Sequence, residues 1–234
     1  MTNKILCIIP ARSGSKGVKN KNMRLVGGRS LIDRAIDSAQ ISNIEFDVCF
    51  TSDSEDFIEN VRKSHPNVIT VLRGHDLSDD NALTIDVIFH ALDSLKNKGL
   101  LYTHVLLLQV TTPFRTSYHL NDALNYYLEN NFDSLVSVVN VQGHHPFRMK
   151  RLENNLLINF IDQGFEDMRP RQSLPPVFLR NGAIYLTKIN SLFKSKSLLS
   201  GAVGAYEMDE ITSVNIDTEI DLKFAQLLAL ENGI

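Results

Sequence analysis

Short, predominantly apolar runs alternate along the chain with stretches whose apolar residues recur every three or four positions. Ile5 to Ile9, Phe46 to Thr51, Val68 to Leu72, Val105 to Val110 and Leu135 to Val141 are the runs. Strands that are apolar without alternation are buried on both faces, as in a parallel sheet covered by helices. Between them, Ser30 to Ala39 carries Leu31, Ala35, Ile36 and Ala39 at helical spacing, with Ser30 placed to cap the first turn before Asp33. Ser54 is placed likewise before Phe57, Ile58 and Val61, in a helix that stops near His65-Pro66. Leu83 to Leu95 and about Tyr118 to Glu129 supply two more helices, with His90 packed near the apolar stripe of the first. The alternation predicts an α/β fold of βαβ units, with a mainly parallel sheet and flanking helices.

The rhythm breaks between His144 and Pro176. That stretch mixes scattered charges with Pro146, Pro170, Pro175 and Pro176, and reads as an extension projecting from the domain. Regular pattern returns with strands at Ala183 to Leu186, Val203 to Tyr206 and Val214 to Ile216. A terminal helix follows, carrying Leu222, Phe224, Ala225, Leu227, Leu228 and Leu230. The organisation is therefore one domain over residues 1–234 with residues 144–178 as an inserted extension.

At 234 residues the chain can bury a real core as one domain. Its 43% hydrophobic and 22% charged residues are ordinary for a globular protein. A net charge of −3 argues against general nucleic-acid binding. No apolar run is long enough to span a bilayer and the start lacks a signal-peptide pattern, so a cytoplasmic location is expected. Cys7 and Cys49 lie in apolar runs without metal or disulfide spacing and read as buried thiols.

Chemistry gathers just after the first strand. Ala11-Arg12-Ser13-Gly14-Ser15-Lys16-Gly17 leads to Lys19, Lys21 and Asn22, a donor-rich loop with four cations at the carboxyl end of a buried strand. Ligands of parallel sheets bind at that end, and glycines let the backbone approach them closely. The pattern describes a polyphosphate cradle on a mildly acidic protein; a basic surface turn is the plainer alternative. It is neither a P-loop, since only Ser15 and Lys16 separate Gly14 from Gly17, nor the G-x-G-x-x-G fingerprint. Asp217, Thr218, Glu219 and Asp221 open the last helix, where acidic residues serve as caps in their own right. If Asp217 ends a parallel strand, however, its carboxylate faces the same crevice, and Mg²⁺ binds one or two carboxylates together with substrate phosphates. His144 and His145 lack a further ligand at metal spacing.

The loop Ile9-Pro10-Ala11-Arg12-Ser13-Gly14-Ser15-Lys16-Gly17 with Lys21-Asn22 resembles the signature of the acylneuraminate cytidylyltransferases, the CMP-sialic and CMP-legionaminic acid synthetases. Further segments are similar to that family in the same order. They are Thr51-Ser52-Asp53, Arg73 with Leu77, Asp80 and Thr84, and Leu107 to Arg115. Arg169 to Gln172 with Pro175, Asn181 to Tyr185, and Ile216 to Glu219 with Asp221 complete the set.

The resemblance implies a Rossmann-like fold of the nucleotide-diphospho-sugar transferase type and a set of roles. Ala11, Arg12, Ser13, Gly14, Ser15, Lys16 and Asn22 would hold CTP phosphates and ribose, and Arg73, Asp80 and Thr84 the cytidine. Arg12, Lys21 and Asp217 would be catalytic, with Lys21 neutralising developing charge. Gln109, Arg148, Lys150, Arg171, Gln172 and Asn181 would meet the sugar acid. Asp217, with Asn215 and Asp221 as further candidates, would bind Mg²⁺. Two departures stand out. Asn215 occupies the first place of the family's Asp-x-Asp, and Leu179 the place of an arginine, leaving Arg180 one residue away where strand alternation would turn it from the site.

The implied reaction transfers CMP from CTP to the anomeric hydroxyl of a nonulosonic (sialic-type) acid and releases pyrophosphate. The 144–178 extension would pair two subunits as a homodimer, or two such pairs as a tetramer, with Phe147, Phe160, Phe165 and Phe178 giving apolar area. Alternatives are a nucleotidyltransferase of the same fold for another sugar, such as the deoxyoctulosonate or methylerythritol type, and a non-catalytic sugar-nucleotide-binding subunit.

Overall fold

The computed structural model describes residues 3–15, 17–162 and 164–234. Its elements run β1 (Ile5–Pro10), β2 (Leu25–Val26), β3 (Arg29–Ser30), α1 (Leu31–Gln40), β4 (Asp47–Ser52), α2 (Glu55–Ser64), β5 (Ile69–Leu72) and α3 (Thr84–Lys96). There follow β6 (His104–Leu107), α4 (Ser117–Asn130), β7 (Ser134–Asn140), β8 (Lys150–Glu153), β9 (Leu156–Asn159), β10 (Phe178–Lys188), α5 (Ile189–Ser195), β11 (Val203–Glu207) and α6 (Glu219–Glu231).

Seven strands form the central sheet in the order β11-β7-β10-β6-β1-β4-β5. All neighbours pair in parallel except β10, which runs antiparallel to both β6 and β7. The α/β architecture with a mainly parallel sheet is as the pattern predicts.

The first strand shows why. All five residues from Ile5 to Ile9 are buried, and they divide by alternation. Cys7 and Ile9 pack with Leu31 and Ile36 of α1, Leu120 and Leu124 of α4 and Leu222 of α6. Leu6 and Ile8 enter the opposite layer with Ile88 and Leu95 of α3 and Leu192 of α5. Ser30 and Ser54 cap α1 and α2 by accepting the Asp33 and Phe57 amides, and α6 opens on a capping box between Thr218 and Asp221.

Two strand expectations are corrected. The run Val105 to Val110 leaves the ladder at Leu107, because Gln109 and Thr112 form a turn in which the Thr112 hydroxyl donates to the Gln109 carbonyl. Val214 to Ile216 is consequently not a strand. With β6 already ended, one backbone bond from Ile216 N–H to the Thr111 carbonyl (2.9 Å) holds that segment against the sheet. Asp217 reaches the carboxyl end of the sheet on a pinned loop.

Within the stretch that breaks the pattern, β8 and β9 form a hairpin. Asn154 and Asn155 turn it, both with positive φ, as a two-residue primed turn needs. Leu152, Leu156, Leu157 and Phe160 on and beside it are exposed. Among the described residues no helix is long and apolar enough to cross a membrane.

Candidate active site

A cleft of about 560 Å³ opens at the carboxyl ends of β1 and β6. Ala11, Arg12, Ser15, Lys21, Asn22, Arg73, Asp80, Thr84, Gln109, Asn215 and Asp217 all line it, though they come from almost the whole length of the chain.

The loop after β1 is tied down at several points. The Ala11 amide donates to the Thr51 carbonyl (3.0 Å), and buried Asn22 donates its side-chain amide to the Arg12 carbonyl (2.8 Å). Gly17 lies so close to the 217 segment that a Cβ there would come within 2.0 Å of the Asp217 carbonyl oxygen. Ser13 is turned away from the cleft. Its amide and hydroxyl both donate to Asp53, at 2.9 and 2.6 Å. Burial alone would raise the Asp53 pKa, but these two bonds, with Arg73 nearby, hold it below the usual carboxylate value. Gly14 does not line the cleft either, and Lys16 lies outside the described residues.

Across the cleft, Arg12 donates to the Asp79 carbonyl (3.0 Å) and pairs with Asp80 (3.2 Å). Arg73 is buried, with Nε bonded to the Leu77 carbonyl and Ser78 hydroxyl and Nη1 to Thr51. Burial lowers its pKa to about 10, which leaves the guanidinium charged at neutral pH. It thus fixes the 73–78 turn that leads to Thr84 at the start of α3, whose free N–H groups point toward anions.

At the other wall, Lys21 Nζ donates to the Ile216 carbonyl (2.9 Å) and to Asp217 Oδ1 (3.0 Å), while Asn215 donates its side-chain amide to Asp217 Oδ2. The Asp217 side chain is 64% exposed toward the cleft. Asp221 turns inward: one of its oxygens accepts the Asp217 and Thr218 amides at 3.0 and 2.7 Å. Burial raises its pKa, and those bonds more than offset it. Among the described residues no three His, Cys, Asp or Glu side chains gather to hold a metal. A single exposed carboxylate beside an amide suits a divalent ion that arrives with phosphate ligands of its own.

The expected acceptor residues divide. Gln109 lines the cleft, and Gly182 packs beneath it at φ +80°; a Cβ there would meet Gln109 Oε1 at 2.5 Å. Asn181 is buried, with Oδ1 accepting from Ser137 and the Ala183 amide and Nδ2 donating to Ser213, so its side chain joins strands. Arg148 donates to the Arg169 carbonyl, and Lys150 contacts Asn159 and Glu166, all within the extension. Arg171 and Gln172 sit exposed on a short 3₁₀ turn. None of these five borders the cleft of this chain.

Sequence reasoning missed Arg115 as a determinant of the site. Fully enclosed, it donates to the Gln109 carbonyl, the Thr112 hydroxyl, the Ala183 carbonyl and Ser38, joining the β6 turn to β10. Burial lowers its pKa to about 10. An arginine after Thr-Thr-Pro-Phe was the available signal, but nothing in the sequence shows that its partners are carbonyls rather than ligand.

A family model described as cytidylyltransferase matches residues 6–232. An N-acylneuraminate cytidylyltransferase of Streptococcus agalactiae serotype V is 32% identical over 222 residues, which are 93% of this chain and 51% of that protein. A CMP-N,N'-diacetyllegionaminic acid synthase of Campylobacter jejuni is 29% identical, covering 97% of this chain and 96% of that one. The chain thus spans about half the length of the first of these relatives and nearly all of the second. The solved structure of a CMP:2-keto-3-deoxy-manno-octonic acid synthetase complexed with CTP superposes with a TM-score of 0.71 at 13% identity, covering 98% of this chain and 100% of that one, a likeness of fold. On the match across residues 6–232, the chain belongs to the cytidylyltransferase family.

Proposed function

We propose that the protein transfers CMP from CTP to the anomeric hydroxyl of a nonulosonic acid and releases pyrophosphate. The observation that carries this reading is the meeting of Arg12, Lys21 and Asp217 in one cleft, with Gln109 where that cleft continues toward a second one. Relatives named for sialic-type and legionaminic acids support the acceptor class.

In this reading the loop after β1 and the start of α3 bind the triphosphate through Arg12, Ser15, backbone N–H groups and the helix dipole. Arg73 and Thr84 shape the pocket for the cytidine. Lys21 stands where negative charge grows on the phosphate, so its ammonium stabilises the transition state more than the ground state. Catalysis is then chiefly positioning of the sugar oxygen in line with the α-phosphorus, plus charge stabilisation. Asp217, with the Asn215 amide turned to offer its oxygen, would hold Mg²⁺. The ion supplies charge neutralisation and Lewis acidity at the phosphates. Asp221 is left to cap α6, as its two backbone bonds favour.

Residues 1–234 act here as one unit, with the 144–178 extension pairing two copies of the chain. Exposed Leu152, Leu156, Leu157 and Phe160 support that role. Arg148, Lys150, Arg171 and Gln172, remote from the cleft of their own chain, would serve a neighbouring subunit's sugar pocket. A cytoplasmic location belongs to the same reading. CTP-dependent pyrophosphate release on addition of a nonulosonic acid tests it.

A further inference from the structure

The last helix, α6, is apolar on two opposite faces. Leu222, Ala225 and Ala229 are buried in the core that covers the sheet. On the far side Ile220, Phe224, Leu227 and Leu230 recur at helical spacing and all stand exposed, Ile220 at 77% and Leu230 at 80%. A surface helix carries one apolar stripe and a polar back, whereas a helix apolar on both faces is covered on both. Leu25, exposed on β2, widens the outer stripe, and the Gln226 side-chain amide donates to the Leu25 carbonyl (2.9 Å).

One end of the stripe is hollow. After α6 the chain turns back at Gly233 (φ +66°), and the Ile234 N–H donates to the Ala229 carbonyl (2.9 Å). Ile234 rests against Gly27, where a Cβ would meet the Ile234 carbonyl oxygen at 1.8 Å. Gly27, Gln226, Ala229, Leu230 and Ile234 line the resulting groove, of about 470 Å³. Phe224, toward the other end, is a projecting ring.

The stripe is its own complement. Phe224 lies three residues before Leu227 and Leu230 three after, while Lys223 lies four before and Glu231 four after. In an antiparallel pair of these helices related by a twofold at Leu227, positions equally spaced on either side face each other. Leu227 meets Leu227, and Phe224 of each copy enters the groove beside Leu230 of the other. Lys223 of each copy comes opposite Glu231 of the other. Both charged residues are exposed, and neither makes an ion pair with another described residue, unlike Glu219, which pairs with Arg24 (3.3 Å). Unlike charges at both symmetric places favour this partner over one of arbitrary charge.

We propose that the outer face of α6 is a twofold interface whose occupant is a second copy of this chain, seated antiparallel. It takes no residue from the 144–178 extension and stands whether or not the transferase reading does. One helix face offers less than the roughly 800 Å² a side of a standard interface, so the copies pair at about 100 µM rather than about 1 µM.

The test is sedimentation equilibrium of the full chain from about 10 µM to about 500 µM. The mass is expected to rise toward double across this range. It goes from two chains toward four where the extension pairs them, and from one toward two in the Leu152→Asp, Leu157→Asp protein. Lys223→Glu or Glu231→Lys alone sets like charges opposite each other and should weaken the association at least about tenfold. The two changes together restore unlike pairs and should return it to within about threefold of wild type. Leu227→Asp should abolish it. All three positions are exposed, so each variant should unfold within a few degrees of wild type. A mass constant across the range would overturn the proposal. So would a rise that the single reversals leave unchanged, or one that the double reversal fails to restore.

Discussion

Lys21 and Asp217 stand 196 residues apart in the sequence, yet the lysine ammonium lies 3.0 Å from a carboxylate oxygen of the aspartate. The lysine is largely enclosed, at 15% exposed, while Asp217 is open to the cleft at 64%. With its carboxylate open to water, the pair adds little to stability, typically no more than about 1 kcal/mol. Its consequence is positional: one cation and one carboxylate face the same few ångströms of cleft, where a phosphate carrying a divalent ion would enter between them.

Lys21→Ala should therefore reduce kcat about 100- to 1000-fold while the protein melts within a few degrees of wild type. Asp217→Asn should lower activity comparably and weaken the dependence of rate on Mg²⁺. Together the two changes should cost far less than the product of their separate effects, because they serve one charge cluster. Pyrophosphate release and thermal unfolding on the three variants measure this, and multiplicative effects would contradict the shared role.

Gly17→Ala should be far more damaging than Gly14→Ala. A Cβ on Gly17 meets the Asp217 backbone oxygen at 2.0 Å, so the loop or the 217 segment must move, whereas nothing lies within 4 Å of one on Gly14. Titration calorimetry with CTP should show binding weakened at least tenfold in Gly17→Ala and within about twofold of wild type in Gly14→Ala.

Much of this was legible in the sequence, and the rest fails for identifiable reasons. Ile5 to Ile9 reads as a doubly buried strand because every position is apolar, and Ser30 and Ser54 read as caps because capping is local chemistry. The strand expected at Val214 to Ile216 fails because pairing depends on where β6 ends, and a turn at Gln109 to Thr112 settles that. Ser13 looks like a phosphate donor until Asp53, forty residues on, claims both its donors. Arg180 looks misplaced until the register shift at Gly182 appears. Most of these misses turn on contacts between segments distant in sequence, which local pattern does not encode.

The Asp53 carboxylate couples the loop to pH. Its side chain is 4% exposed, and its native pKa lies below the ordinary value because the charged form accepts the two Ser13 bonds. The stabilisation is thus fully present above the unfolded carboxylate pKa and is lost as pH falls through the lower native one. Asp53→Asn should cost about 1–3 kcal/mol at pH 7. The gap from wild type should narrow as pH drops below about 4. Urea unfolding from pH 7 to pH 3 checks both, and a gap independent of pH would contradict the assignment.

The exposed apolar residues of the β8–β9 hairpin predict a dimer in solution. Light scattering at micromolar concentration should give twice the mass of the chain. Leu152→Asp with Leu157→Asp should shift it toward one chain, since Leu152 and Leu157 are cross-strand partners about 70% exposed. A wild-type monomer would contradict the pairing.

The most direct measurement is pyrophosphate release by the wild-type protein given CTP, Mg²⁺ and a panel of nonulosonic acids, with the CMP-linked sugar identified by mass spectrometry. The account predicts release of one pyrophosphate per CMP-sugar formed with at least one acid, and none without acceptor. CTP binding with no CMP-sugar from any acid in the panel would contradict it.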